Sequence, residues 1–203
     1  MSSKLHDVVA DELSRAGLVA SPEPLCAHLA LLERWGQRIN LTGRPDAVHV
    51  ARRLLPDALM LAGSLAPGTH TVVDVGSGSG IVGLALTLVR PELVTLLVEP
   101  SRRRCSFLRT AAHELGVDQL TIAEARLEEL ELLPRDLAVS RATWPPAQWL
   151  ERALPLVRPG GEALCFLGEQ EAPEPPAGLL APRLVRYRLV DRTPRLLAFY
   201  RRA

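Results

Sequence analysis

The sequence predicts a doubly wound α/β fold: a parallel sheet extended by a C-terminal hairpin to seven strands, preceded by a helical extension. Three observations predict it. The run Val72-Val73-Asp74-Val75-Gly76-Ser77-Gly78-Ser79-Gly80 reads as a β-branched strand that ends on an acid and opens into a glycine-rich turn. Apolar residues from Ile81 to Val89 follow as the helix such a turn feeds. A second apolar run, Leu93-Val94-Thr95-Leu96-Leu97-Val98, also closes on an acid, Glu99, as a buried strand of a parallel sheet does. Beyond it, strand-like and helix-like stretches alternate.

Taken in order, residues 1 to 66 form a helical extension and 67 to 203 the main domain. Val8-Val9, Leu13, Leu18, Leu25, Leu29, Leu31-Leu32, Trp35 and Ile39 recur at helical spacing. Ser21-Pro22-Glu23-Pro24 interrupts them and starts a new helix, with serine as N-cap and proline in the first turn. Asn40-Leu41-Thr42-Gly43 stops it, and a further amphipathic helix is expected over Ala47 to Ser64. Strands are then expected at Thr71–Val75, Leu93–Val98, Gln119–Ala123, Leu137–Ser140 and Glu162–Phe166. The intervening helices fall at Ile81–Val89, Ser101–Leu115, Leu127–Leu132 and Trp144–Val157. After the loop Pro173–Gly178, strands Leu184–Val190 and Leu196–Tyr200 complete the count.

Composition bounds the rest. A chain of 203 residues, 47% hydrophobic and 23% charged, suits one α/β core with a small appendage. No apolar run approaches the ~18 residues of a membrane span, and the first residues, Met1 to Asp7, lack a secretion-signal pattern, so a cytoplasmic protein is expected. Cys26, Cys105 and Cys165 lie far apart, which fits reduced core residues. His6, His28, His49, His70 and His113 show no metal-ligand spacing. No G-x-S-x-G surrounds Ser77 or Ser79, so a serine hydrolase is not indicated.

The glycine turn points to a nucleoside cofactor, with two readings of which cofactor, and a structural turn that binds nothing as a third. Gly78-Ser79-Gly80-Ile81-Val82-Gly83 fits the dinucleotide fingerprint. Asp74 favours S-adenosylmethionine, because a carboxylate at the turn repels a pyrophosphate but accepts hydrogen bonds from a cationic amino acid. Glu99, about 20 residues after the glycines, stands where a ribose-binding acid is expected, or is a solvated strand end.

An ordered set of motifs extends the reading. Trp35 with Asn40-Leu41-Thr42, Arg53 with Asp57, the loop Asp74 to Gly80, Glu99-Pro100-Ser101-Arg102-Arg103 with Phe107-Leu108-Arg109, Ala125-Arg126-Leu127-Glu128-Glu129 and Ser140-Arg141-Ala142 follow one another along the chain. Together they resemble the RsmG (GidB) family of small-subunit ribosomal RNA guanine-N7 methyltransferases. The resemblance implies a seven-stranded Rossmann-like methyltransferase fold and S-adenosyl-L-methionine as cofactor. It implies that the loop Asp74 to Gly80 is the cofactor loop, that Gly76 and Ile81 line the cofactor, that Leu127 and Glu128 flank its adenine, and that Arg141 binds cofactor or RNA; the residues themselves add Asp74, Gly78, Gly80 and Glu99 to the expected cofactor set. Read from residues alone, Leu127 and Glu128 are equally an amphipathic helix start, and Arg141 equally a partner for Asp74 or Glu99.

The chain also departs from the family pattern. Leu54 and Ala58 stand where the family has histidine and serine around Asp57, Val82 where the loop carries proline, and Leu167 where a lysine precedes Gly168. Leucine supplies neither charge nor hydrogen bond to RNA phosphates. The departures leave a methyltransferase of other specificity, or a non-catalytic RNA-binding or ribosome-assembly protein, as alternatives.

Guanine N7 carries a lone pair and no proton, so the expected chemistry is positioning, with Arg141 donating to guanine or phosphate and Asp57 holding the extension against the site. Net charge is only +1, with Lys4 the single lysine, so clustering decides where RNA binds. The clusters are Arg52-Arg53, Arg102-Arg103-Arg104 with Arg109, and seven arginines against Asp191 from position 183 onward. The expected partner is small-subunit ribosomal RNA or a subunit precursor, met by a monomer, with no metal and no membrane.

Overall fold

A computed structural model describes residues 3–44 and 46–203; Met1 and Ser2, part of the segment read for a secretion signal, and Pro45 lie outside the described residues. Helices α1 (Ser3–Arg15), α2 (Glu23–Gly36), α3 (Ala47–Arg53) and α4 (Leu55–Ser64) precede strand β1 (Thr71–Val75). Then follow α5 (Gly83–Val89), β2 (Val94–Val98), α6 (Arg102–Glu114), β3 (Leu120–Ala123), β4 (Arg135–Ser140), α7 (Pro146–Ala153), β5 (Val157–Leu167), β6 (Arg183–Arg188) and β7 (Pro194–Arg201). The sheet runs β3-β2-β1-β4-β5-β7-β6. Strands β1 to β5 are parallel, whereas β7 is antiparallel to both neighbours. The expected seven strands are therefore present, and their order reverses at β1, between β2 and β4, which opens a crevice at the carboxyl ends of the strands.

Alternation along each strand splits the core into two layers. Val72, Leu97, Leu137, Val139, Leu197 and Phe199 face one side, in a single cluster with the buried leucines of α1, α2, α4 and α5. Val73, Val75, Leu96, Ala138, Ala198 and Tyr200 face the other, against Trp149 and Leu150 of α7. Trp149 is locked there by its indole N–H, which donates to the Leu164 carbonyl at 2.8 Å. The N-terminal helices thus share their core with the sheet, each fully buried leucine contributing roughly 1.5–3 kcal/mol.

Several boundaries differ from the sequence reading. Pro22, not Ser21, occupies the N-cap of α2, without a side-chain cap, because the Ser21 hydroxyl bonds Glu23 instead. Helix α2 stops at Gly36, before Asn40. The helix expected from Ala47 to Ser64 breaks at Leu54, where Pro56 lacks the N–H to continue the ladder. Only one 3-10 turn, Leu127–Glu129, forms where a helix to Leu132 was expected. Strand β5 begins at Val157 rather than Glu162, and its register shifts against β4 between Arg135 and Leu137. Gly161 permits this, since a Cβ there would lie 2.9 Å from the Asp136 carbonyl.

Candidate functional site

The loop after β1 is shaped by contacts that only glycine allows. Gly76 has φ +74° and a Cβ on it would collide with the Thr143 hydroxyl from the loop after β4. Its N–H donates to the Val98 carbonyl at 2.8 Å, which draws the turn against the end of β2. Gly83, the first residue of α5, lies so close to β1 that a Cβ would stand 2.8 Å from Asp74 Oδ2 and strike Leu97. The Gly83 N–H donates to that same Oδ2 at 2.9 Å. Helix α5 therefore starts two residues later than Ile81, where the Asp74 carboxylate meets its N-terminus.

Asp74 is 1% exposed, and desolvation pushes its carboxyl up to about 7 despite the Gly83 bond. Glu99, 2% exposed, accepts from the Gly78 N–H with Oε2 and from the Ser101 N–H with Oε1, both at 2.9 Å. Two carboxylates at the ends of adjacent strands thus organise opposite sides of one turn.

A cavity of about 480 Å³ lies over this turn. Asp74, Gly76, Gly78, Ile81, Glu99 and Arg141 all line it. A second cavity of about 240 Å³ shares Gly76, Pro100 and Thr143 with the first and is lined by Leu127 and Glu128. Gly80 lines neither and packs on Leu84 and Leu108. Glu128 also accepts from Arg152 Nη1 at 2.9 Å, and that guanidinium lies 5.2 Å over the Trp144 ring.

Arg141 does not pair with Asp74 or Glu99. Its Nε donates to Asp57 Oδ2 at 2.7 Å. Asp57, with a side chain 3% exposed, lies behind the cavity wall and also accepts from the Tyr187 hydroxyl at 2.5 Å, while Arg195 Nε stands 3.6 Å away. Burial and the Asp57 charge raise the Tyr187 phenol, which therefore stays protonated as donor. Ala142, next to Arg141, takes φ +59°, a conformation that costs an alanine about 1 kcal/mol and aims its neighbours into the cavity.

Tyr187 and His28 carry no sequence signal for this site, since each arrives from a distant element; Leu41 belongs to the Asn40-Leu41-Thr42 motif and Arg195 to the C-terminal arginine cluster, and Thr143 directly follows Arg141-Ala142. His28 of α2 is fully buried, and its Nε2–H donates to the Ser79 carbonyl at 3.2 Å; burial lowers its pKa to about 4. Of the departures from the family pattern, Ala58, Val82 and Leu167 are buried in the apolar core. At the hairpin, Arg53 pairs with Asp191.

Comparison with known proteins follows this geometry. The family model for rRNA small subunit methyltransferase G matches residues 22–177. A Mycobacterium leprae protein named Ribosomal RNA small subunit methyltransferase G is 39% identical over 146 residues, 70% of this chain and 59% of that protein. The chain thus spans about three fifths of that relative's length. A protein of the same name from Stenotrophomonas maltophilia is 35% identical over 171 residues, 82% of this chain and 80% of its own. Among solved structures, mitomycin 7-O-methyltransferase MmcR superposes with TM-score 0.62 at 16% identity, covering 98% of this chain and 68% of that one. M. jannaschii TYW2 in complex with AdoMet gives 0.58 at 13% identity, covering 74% and 76%. Both share the fold, the Rossmann-like methyltransferase sheet.

Proposed function

Because the chain belongs to the rRNA small subunit methyltransferase G family, we propose that it transfers the methyl group of S-adenosyl-L-methionine to N7 of a guanine in small-subunit ribosomal RNA. The observation that carries this reading is the pair of buried carboxylates, Asp74 and Glu99, around a backbone turn open to a cavity of about 480 Å³. A pyrophosphate would meet the Glu99 carboxylate and raise the cost of ionising Asp74, whereas a sulfonium cofactor brings positive charge and ribose hydroxyls that both acids can accept from. The adjoining 240 Å³ cavity beside Leu127 and Glu128 suits the adenine.

When bound, the cofactor supplies an electrophilic methyl group. Asp74 would accept from its amino-acid portion and Glu99 from the ribose, with Gly76, Gly78 and Ile81 as close, Cβ-poor or apolar walls and Gly80 holding the turn on α6. Arg141 keeps its terminal nitrogens available for the guanine or its phosphate while its Nε is engaged by Asp57. No general base is required, because N7 bears no proton, and the rate gain comes from alignment, up to about 7–11 kcal/mol when ideal.

The C-terminal hairpin suits the RNA, since Arg186, Arg188 and Arg195 meet the same sheet edge as the cofactor cavity. In this reading the helical extension, residues 1–66, frames the substrate side and residues 67–203 carry the chemistry. The protein acts as a monomer, and its three buried free cysteines fit a reducing compartment such as the cytoplasm. Among the described residues, no helix is long and apolar enough to cross a membrane.

Isothermal titration with S-adenosylmethionine, S-adenosylhomocysteine and NAD tests the cofactor, and transfer of labelled methyl to small-subunit RNA tests the activity. Binding of the first two but not NAD, followed by RNA-dependent transfer, is expected. Failure to bind either would remove the enzymatic reading.

A further inference from the structure

A larger cavity, about 600 Å³, lies at the carboxyl edge of the sheet between the segment following β5 and the facing ends of β6 and β7. Its charged lining is mixed: Glu169 and Glu171 come from the segment after β5, and Arg186, Arg188 and Arg195 from the hairpin, which also contributes Tyr187. Arg195 Nε stands 3.6 Å from Asp57, and Arg188 Nη1 donates to the Arg192 carbonyl at 3.0 Å. Asp57 takes Arg141 on one oxygen, while Tyr187 and Arg195 approach the other. One buried carboxylate thereby contacts both Arg141, which lines the cofactor cavity, and Arg195, which lines this second one.

The chemistry of the proposed reaction says what the second cavity must offer. Presenting N7 to the methyl donor leaves the opposite, Watson–Crick edge of the base for the protein to hold. In guanine that edge carries two adjacent donors, N1–H and the 2-amino group, which a single carboxylate accepts together. Adenine, which also has an N7, presents an acceptor at N1 and leaves a carboxylate unsatisfied, a mismatch costing orders of magnitude in discrimination. The phosphate of the same nucleotide calls for guanidinium groups about a nucleotide's width away.

We propose that this cavity holds the target guanosine monophosphate unit, with Glu169 as the residue that selects guanine, Arg195 as a phosphate ligand, and Asp57 with Tyr187 as positioning residues. The assignment rests on the functional reading above. Glu169 is chosen over Glu171 because it directly follows Gly168 at the carboxyl end of β5, whose last paired residue is Leu167 opposite Leu196, whereas Glu171 lies further out toward Pro173.

The test is ligand-observed NMR on the full chain saturated with S-adenosylhomocysteine, which keeps nucleotides out of the cofactor cavity, using guanosine 5′-monophosphate, guanosine and adenosine 5′-monophosphate as probes. The guanine nucleotide is expected to bind at least tenfold better than the adenine nucleotide. Glu169→Gln should remove that preference while Glu171→Gln retains it. Arg195→Ala should weaken the nucleotide to the level of guanosine, and Arg195→Lys should restore part of the difference. Equal binding of the two nucleotides, no binding of guanosine monophosphate at millimolar concentration, or a preference untouched by Glu169→Gln would overturn the proposal. Titration of S-adenosylmethionine into the same proteins separates the two failures, since loss of cofactor binding by the wild type strikes the functional reading alone.

Discussion

The carboxyl group of Asp74 makes cofactor binding pH-dependent in a direction the structure fixes. Desolvation holds it up to about 7, so below that pH the cavity contains a neutral acid. A sulfonium cofactor with its ammonium group favours the carboxylate, so binding releases one proton whenever the free protein carries it. Linkage then requires the dissociation constant to fall about tenfold per pH unit up to about 7 and to level off above. Asp74→Asn should abolish the slope. At pH 8 it should also weaken binding roughly ten- to a hundredfold, the value of a charge-assisted hydrogen bond of about 1.5–3 kcal/mol. Isothermal titration between pH 5.5 and pH 8, in buffers of different ionisation enthalpy to count the released proton, measures both. An affinity flat across that range in the wild type, or a slope surviving in Asp74→Asn, would refute the reasoning.

Stability of the free protein should show two opposing titrations. His28, neutral when buried, has its pKa lowered to about 4, so the unfolded state binds the extra proton and stability rises with pH from about 4 to 6.5. Asp74, raised from 3.8 to about 7, keeps a proton that the unfolded state loses, so its contribution falls as pH rises across that window. The wild-type denaturation midpoint should accordingly change little between pH 4.5 and 6.5, as the two terms cancel. Asp74→Asn should expose a rise of up to about 1.4 kcal/mol per pH unit, and a flat profile in that variant would count against the His28 assignment. Gly83→Ala should destabilise by about 1–3 kcal/mol through its clash with Leu97 and Asp74, outweighing the helix propensity gained, whereas Gly168→Ala meets open space and should be neutral; thermal melts compare them. Asp57→Asn should cost roughly 2 kcal/mol, less than a fully buried pair because Arg141 and Arg195 remain 22% exposed, and a melting temperature within 1–2 °C of wild type would contradict the shared anchor.

Much of the fold was legible because the signal is local. Val72 to Val75 and Val94 to Val98 are short runs dominated by β-branched and other apolar residues, too short for helices, and the turn between β1 and α5 needs residues that tolerate positive φ, so Gly76 announces it. Boundaries were less legible. The break at Leu54 depends on which backbone N–H the following Pro56 removes, and β5 starts early because Gly161 lets it approach Asp136, a contact between strands. Leu127 gave the start of an amphipathic pattern, yet the segment forms a single turn whose leucines pack beside α7 instead of extending a helix.

The sequence by itself determined the doubly wound sheet, the glycine turn with its flanking acids, and the ordered motifs that resemble the family. These are properties of neighbouring residues and of chain order. Only the tertiary structure decided that Arg141 answers to Asp57 and not to the strand-end acids, that His28 supports the turn from α2, and that Tyr187 and Arg195 close on the same carboxylate. Those contacts join residues separated by 51 to 138 positions in order to bury charged and polar groups that each need a partner once water is excluded. Periodicity tells which face of an element is buried, but the partner across the interface is chosen by how the layers stack.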